Sequence, residues 1–353
     1  MRGSGGVLWR KGSDITTTAR ETAKKAVRFE HPERVPRDCW VVPWAERRFP
    51  DELAALRQNY PMDLVDAAVE YKTLPHMKGD RNSRGVYVDE WGCRWTNIQD
   101  GATGEVREPL VATWNELGRL RPPYEWLEGA FDRVDEACAA TPCFVTGSIG
   151  SLFERMQDIR TTEQLLVDLM EQRKELFRLR DLVHEFNLTV LERLVATGVD
   201  GIILWDDWGT QNALIMPPAL WREFFKPCYK AYVDLTHGAG KLFFMHSDGN
   251  IMEVFEDVIE IGVDALNAQL FCMDIEEIGK RFKGRICFWG EIDRQHVLTT
   301  QDVSAVTRAV ERVHNALYDP SGGIIAQCEF GLASRPENVR EVYAAWDRLS
   351  VRT

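Results

Sequence analysis

The sequence predicts an α/β protein, a (β/α)8 TIM barrel with a β-hairpin inserted after the second strand. From about residue 141 a short apolar run is followed by a helix-like run six times in succession. These apolar runs are continuous rather than alternating, as in strands buried on both faces of a parallel sheet. Two more strand-like runs lie upstream, making eight. A doubly wound open sheet is the main competitor, but no GxGxxG follows the first strand. The 353 residues would fill two average domains or one α/β barrel. Eight strand–helix units assign residues 19–353 to a single barrel domain.

Taken in order, residues 1–18 carry no apolar stretch and read as a tail, not a signal peptide; Met1–Gly6 has the look of an expression scar. The first two strands are Asp38–Val42 and Val65–Val69. Gly85–Thr96 and Glu105–Val111 then alternate around the turn Asn97–Gly104, which predicts a hairpin insertion over 85–111. Trp91 and Trp95 flank Cys93 there, an aromatic face suited to a lid over the barrel mouth or to a homodimer contact. The remaining strands are Cys143–Gly147, Gly201–Trp205, Leu242–His246, Ala265–Gln269, Ile286–Trp289 and Gly323–Gln327. Their helices are Thr162–Thr197, Pro217–Gly238, Ile251–Ile261, Ile275–Phe282, Thr300–Leu317 and Pro336–Leu349. Asn250, Asp274 and Ser334 stand where N-caps belong.

Lys and Arg number 43 against 55 Asp and Glu, a formal charge of −12, so the surface as a whole repels nucleic acid and anionic membranes. No run of 18 apolar residues provides a membrane span. The eight cysteines include no CxxC pair and read as reduced thiols of a cytoplasmic protein. Seven fit as small buried hydrophobes; Cys328 is the exception, because of where it falls.

Barrel chemistry sits at the carboxyl ends of the strands, where the loops converge. Asp206, Asp207 and Trp208 follow the fourth strand, and His246, Asp248 and Asn250 the fifth. Asn267 and Gln269 end the sixth, Glu291 and Asp293 follow the seventh, and Cys328 and Glu329 the eighth. Any one of these reads as readily as a cap or a loop hydrogen bond. Together they outline a polar rim. His246, Asp248 and Cys328, with Glu291 in reach, are ligand types for zinc, which takes imidazole, thiolate and carboxylate and keeps one position open in catalytic sites. A metal-free arrangement, with Cys328 packed and His246 bonding a substrate, stays open on the residues alone.

Several stretches carry a family resemblance: RVPRDCWVVPWAERRFPDE (34–52), GVDGIILWDDWGTQNALIMPPALWREFFKP (198–227), FFMHSDGNI (243–251), EIGVDALNAQ (260–269), FWGEID (288–293) and GGIIAQCEFGLASRPENV (322–339). With these the chain resembles the uroporphyrinogen decarboxylase superfamily, which also holds zinc-dependent corrinoid and coenzyme M methyltransferases. The resemblance implies a (β/α)8 barrel. DEWG (89–92) looks like the methyltransferase branch. That branch's zinc motif resembles His-x-Cys followed by a Cys ten residues before an Asn. Here His246 matches, Cys328 precedes Asn338 by that interval, and Asp248 replaces the middle Cys. Against the decarboxylases, Pro43 replaces the first propionate-binding Arg while Arg47 fits the second. Glu70 is the nearest residue to the catalytic Asp, and the Cys328 segment replaces a His.

The leading expectation is therefore a zinc-dependent methyltransferase moving a methyl group from a small methylated substrate to a corrinoid. The chain has no DxHxxG motif, so the corrinoid would arrive on a partner protein. His246 and Cys328 are the expected ligands, with Asp248 and Glu291 competing for the remaining positions. Asp207 or Glu329, raised in pKa by burial, is the expected proton donor. Arg47, Trp208, Asn267 and Gln269 are the expected substrate contacts. The alternatives are a metal-independent decarboxylase acting on a carboxylate and a non-enzymatic barrel that binds a tetrapyrrole or a protein.

Overall fold

The computed structural model describes residues 17–350; the expected scar at 1–6 and the tail up to residue 16 lie outside the described residues. The strands are β1 (Arg37–Val41), β2 (Leu64–Asp66), β3 (Gly85–Val88), β4 (Arg94–Asn97), β5 (Glu105–Val106), β6 (Phe144–Ile149), β7 (Gly201–Trp205), β8 (Leu242–Ser247), β9 (Ala265–Ala268), β10 (Cys287–Trp289) and β11 (Ile324–Phe330). Eight of them form one parallel sheet in the order β1-β11-β10-β9-β8-β7-β6-β2. Its two end strands, β1 and β2, are brought together without a ladder. The Asp63 N–H donates to Arg37 O at 2.8 Å, and the Asp63 carboxylate accepts from the Arg37 N–H and from the Arg34 guanidinium. The sheet is thus a nearly closed (β/α)8 barrel with one loose seam.

The buried side chains divide into two clusters, as a barrel requires. Leu64, Phe144, Ile203, Phe244, Trp289 and Ile325 point inward, and the helix Ala19–Val27 caps this inner cluster from the amino end with Ala23 and Val27. That helix is held by the Arg20 N–H to Pro142 O (2.8 Å) and the Gly323 N–H to Ala26 O (2.7 Å). The alternate strand residues face outward into the larger cluster under the helices. The helix Pro336–Ser350 shows how sequence sets this layer: Val339, Val342, Tyr343 and Trp346 recur at three- and four-residue spacing and are all buried.

Several expected elements differ in extent. The helix expected over Thr162–Thr197 is two, Thr162–Met170 and Lys174–Val195, parted at Gln172, whose φ is 51°. Pro217–Gly238 is also two, Pro218–Phe224 and Lys226–Gly238, because Pro227 offers no N–H to continue the first. The helix after β8 shortens to Phe255–Glu260, and the second strand to Leu64–Asp66.

The insertion is a three-stranded antiparallel sheet, β3-β4-β5. Its tip is organised by Asp89, whose Oδ1 accepts the N–H groups of Trp91 (3.0 Å) and Cys93 (2.8 Å) and whose Oδ2 accepts the Trp95 indole N–H (2.9 Å). Arg155, on the helix Phe153–Arg160 after β6, fixes the tip to the barrel through Asp89 (2.5 Å) and Glu90 (2.8 Å).

Candidate active site

His246 lies near the carboxyl end of β8, buried, with its ring against Trp40 and Trp205 (centroids 5.1 and 5.3 Å). Asn267 on β9 sets its tautomer. The Asn267 amide nitrogen donates to Trp289 O and to Gln327 Oε1, which leaves its oxygen as acceptor, 2.7 Å from His246 Nδ1. Nδ1 therefore carries the proton it donates, and Nε2 is the nitrogen free for chemistry. Nε2 points at two carboxylates: Asp207 Oδ1 at 3.4 Å and Asp248 Oδ1 at 3.5 Å.

The chain holds these acids in place for separate reasons. Asp207 Oδ1 accepts the Asp248 N–H (2.8 Å), tying the loop after β7 to the loop after β8. The other oxygen of Asp248 pairs with Arg294, while Asp248 Oδ1 is buried and, among the described residues, has no hydrogen-bond partner. Burial pushes His246 down, but Asp207 and then Asp248 outweigh it and raise the imidazole to about 9. Burial likewise pushes Asp207 up, and His246 holds it below the ordinary carboxylate range. Asp207, His246 and Asp248 each present a ligand atom, all within 4.8 Å of one another. A ring nitrogen that gives up its proton on binding and two carboxylates, one of them with an orphaned buried oxygen, fit a divalent cation.

Arg294 is the second centre of the rim. Besides Asp248 it lies 3.7 Å from Glu291 and 3.4 Å from Glu329. Burial pushes Glu291 up to about 8 and also raises Glu329. Glu291 is thus brought beside the guanidinium and not into the three-residue cluster.

Cys328 is not brought to His246. It occupies an outward position of β11, fully buried in the helix-facing layer, with Sγ 3.4 Å from the Tyr343 hydroxyl. Its neighbours Gln327 and Glu329 take the inward positions. The expected zinc set is corrected by this one-residue parity: side chains alternate along a strand, so a ligand at 328 would need the opposite face. Asp207, expected as a proton donor with a raised pKa, instead has a lowered one.

Trp208, expected to touch substrate, is fully buried against Trp221 and donates its indole N–H to the Tyr229 hydroxyl (3.1 Å). Gln269 accepts the Gly249 N–H (2.8 Å) and so shapes the loop after β8. Asn267 orients His246. Arg47 is exposed and donates to Asn82 O (3.3 Å), away from the cluster. Asp206, beside Asp207 in sequence, points the other way: it accepts the N–H groups of Leu152, Phe153 and Glu154 and the Tyr229 hydroxyl.

His246 and Asp207 open onto a cavity of about 530 Å³ whose other walls include Tyr71, Trp126, Phe186 and the hairpin residues Glu90 and Trp91. Glu154 also lines it, accepting from the Ser151 hydroxyl (2.9 Å). Burial, with Asp207 and Asp206 adding repulsion, pushes Glu154 up to about 8. Glu154, Arg155 and Arg294 are absent from the sequence reading. Glu154 and Arg155 follow the third strand, whose end carries the same kind of signal as the later strands. Arg294 lies three residues past Glu291.

A parallel barrel with a charged cluster at the carboxyl ends of its strands is the layout of a barrel enzyme. Residues 87–349 match the family model described as uroporphyrinogen decarboxylase, and the chain belongs to that family. Among solved structures it is similar in fold to a methyltransferase from Methanosarcina mazei, at TM-score 0.69 and 15% identity over 94% of this chain and 99% of that one. Weaker likenesses include an endo-β-1,4-xylanase from Gloeophyllum trabeum (TM-score 0.46, 10% identity, 92% of this chain and 99% of that one). Another is a Burkholderia cenocepacia dihydropteroate synthase (TM-score 0.30, 15% identity, 43% and 55%). No curated protein matches the sequence. Among the described residues, no helix is long and apolar enough to cross a membrane.

Proposed function

We propose that this protein is a metal-dependent methyltransferase that moves a methyl group from a small methoxy, amine or thiol compound to a corrinoid carried on a separate protein. One observation carries the reading: the buried, unpartnered Asp248 Oδ1 beside His246 Nε2 and Asp207. Family membership and the likeness in fold to a methyltransferase support it. Asp207, His246 and Asp248 would hold zinc, which polarises a substrate heteroatom and eases loss of the methyl group. The residues of the chain do the rest. Asn267 holds Nδ1 and so aims Nε2 at the two carboxylates. The aromatic walls of the 530 Å³ cavity exclude water around the substrate. Glu154, which holds its proton up to about pH 8, supplies it to the departing heteroatom.

The second reading, a metal-independent decarboxylase, is favoured by His246 itself. Raised to about 9, it stands as an imidazolium without any metal and could bind a substrate carboxylate. Elemental analysis of protein purified without added metal separates the two. About one zinc per chain, lost in both His246→Ala and Asp248→Ala and kept in Cys328→Ala, is expected. Transfer from a panel of methyl donors to a corrinoid protein should disappear with the metal. Active protein free of metal would overturn the proposal.

A further inference from the structure

Cys39 and Cys328 are direct register partners across the β1–β11 ladder. Neighbouring strands run about 4.8 Å apart, inside the Cα separation of about 4.4–6.8 Å that a disulfide spans. In a parallel pair, register partners point to the same side of the sheet. Both thiols are free, and Cys328 Sγ lies 3.4 Å from the Tyr343 hydroxyl. Among the described residues no other cysteine faces a second one across a ladder.

The two thiols differ in access. Cys328 is fully buried. Cys39 is half-buried and forms part of the wall of a second cavity, about 610 Å³, which lies at the seam between β1 and β2 and includes Met62 and Arg57. No ladder covers that seam, so a small polar reagent reaches Cys39 first. They differ in acidity as well. The Cys328 thiol beside it holds Cys39 below the ordinary thiol range against the effect of burial. The same contact, with burial, drives Cys328 well above that range. A thiol biased toward its thiolate beside a second thiol that can resolve it is the arrangement that peroxide chemistry uses.

We propose that Cys39 and Cys328 are a peroxide-reactive thiol pair, with Cys39 the site of first oxidation and Cys328 the thiol that closes a disulfide between β1 and β11. The Cys39 thiolate attacks the outer oxygen of a hydroperoxide. The O–O bond breaks, the leaving alkoxide or hydroxide takes up the proton that Cys39 gave up, and Cys39 becomes a sulfenic acid. The Cys328 sulfur then attacks the Cys39 sulfur, the S–O bond breaks, and the hydroxide departs as water with the Cys328 proton. Two thiols lose two electrons to one hydroperoxide, giving one disulfide, one alcohol or water, and one further water. The modification sits one residue from Gln327, which accepts the amide of Asn267 (3.0 Å), the residue that orients His246.

The test is chemical and independent of any catalytic activity. Full-length protein is exposed to hydrogen peroxide, its remaining thiols are capped in denaturant with N-ethylmaleimide, and its peptides are mapped without reduction. From the eight thiols per chain, a loss of two is expected, together with a peptide pair joining Cys39 to Cys328 that dithiothreitol separates. In Cys328→Ser the reaction should stop at a Cys39 sulfenic acid, trapped as a dimedone adduct, and in Cys39→Ser Cys328 should stay unmodified. Survival of all eight thiols, oxidation confined to other cysteines, or equal dimedone labelling of Cys39 in wild type and Cys328→Ser overturns the proposal. Should either variant fail to fold, the wild-type map decides by itself.

Discussion

Two guanidinium groups sit at the barrel mouth, and each gathers three carboxyl groups. Arg155 gathers Asp89, Glu90 and Asp158; Arg294 gathers Asp248, Glu291 and Glu329. The first centre is finished. Both oxygens of Asp89 have partners, and its side chain is 3% exposed. The second is left open, with Asp248 27% exposed as a side chain and one of its oxygens unpartnered yet turned to His246. The same ionic chemistry makes a closed joint at one place and leaves an unfinished cluster at the other. What separates them is whether the last lone pair has been satisfied.

Removing each arginine should expose that difference. Arg155→Ala strands buried Asp89 and Glu90 and frees the hairpin tip, so a loss of about 3–5 kcal/mol is expected from denaturant midpoints. Arg294→Ala leaves better-hydrated carboxylates, and about 2 kcal/mol is expected from the same measurement. Equal losses would erase the distinction between the centres. The open centre should also depend on its support: Asn267→Ala should weaken metal binding by about 10–100-fold in chelator competition. A change below twofold would remove Asn267 from its positioning role.

The smallest effect is in pH. Burial raises Asp158 to about 7 at the first centre and Glu291 to about 8 at the second, against partial relief from Arg155 and Arg294. In the unfolded chain both carboxyls ionise in the ordinary carboxylate range, while the folded protein keeps both protons to higher pH. Their contribution is therefore complete below that range and drains as pH rises, by up to about 1.4 kcal/mol per unit for each. Asp158→Asn should flatten the stability profile up to about pH 7, and Glu291→Gln up to about pH 8. Coincident windows would mean that the two centres share one environment.

The barrel was legible because eight apolar runs and their helices recur in order, and the structure departs from that reading mainly at element ends. The break at Gln172 left no trace, since no Gly or Pro marks it. The break at Pro227 could have been read. His246, Asp207 and Asp248 stood out as polar residues at strand ends, but Cys328 misled for a physical reason. A strand buried on both faces has little alternation from which to tell inside from outside. Gln327 and Glu329 held the clue, because two polar residues spaced by two in an apolar run mark the lumen face. Glu154 could have been read from its place after the third strand, whereas Arg294 needed spatial information, because it acts through Asp248 and Glu329, both more than 30 residues away in the chain.

The helix Ala19–Val27 is anchored at residues 142 and 323, so an early segment is completed by one synthesised nearly 300 residues later. During translation the inner cluster that Ala23 and Val27 enter stays incomplete until β11 has left the ribosome. Sealing the barrel is therefore a late, long-range step of folding, and until then the nascent chain carries an exposed apolar end that a chaperone can recognise.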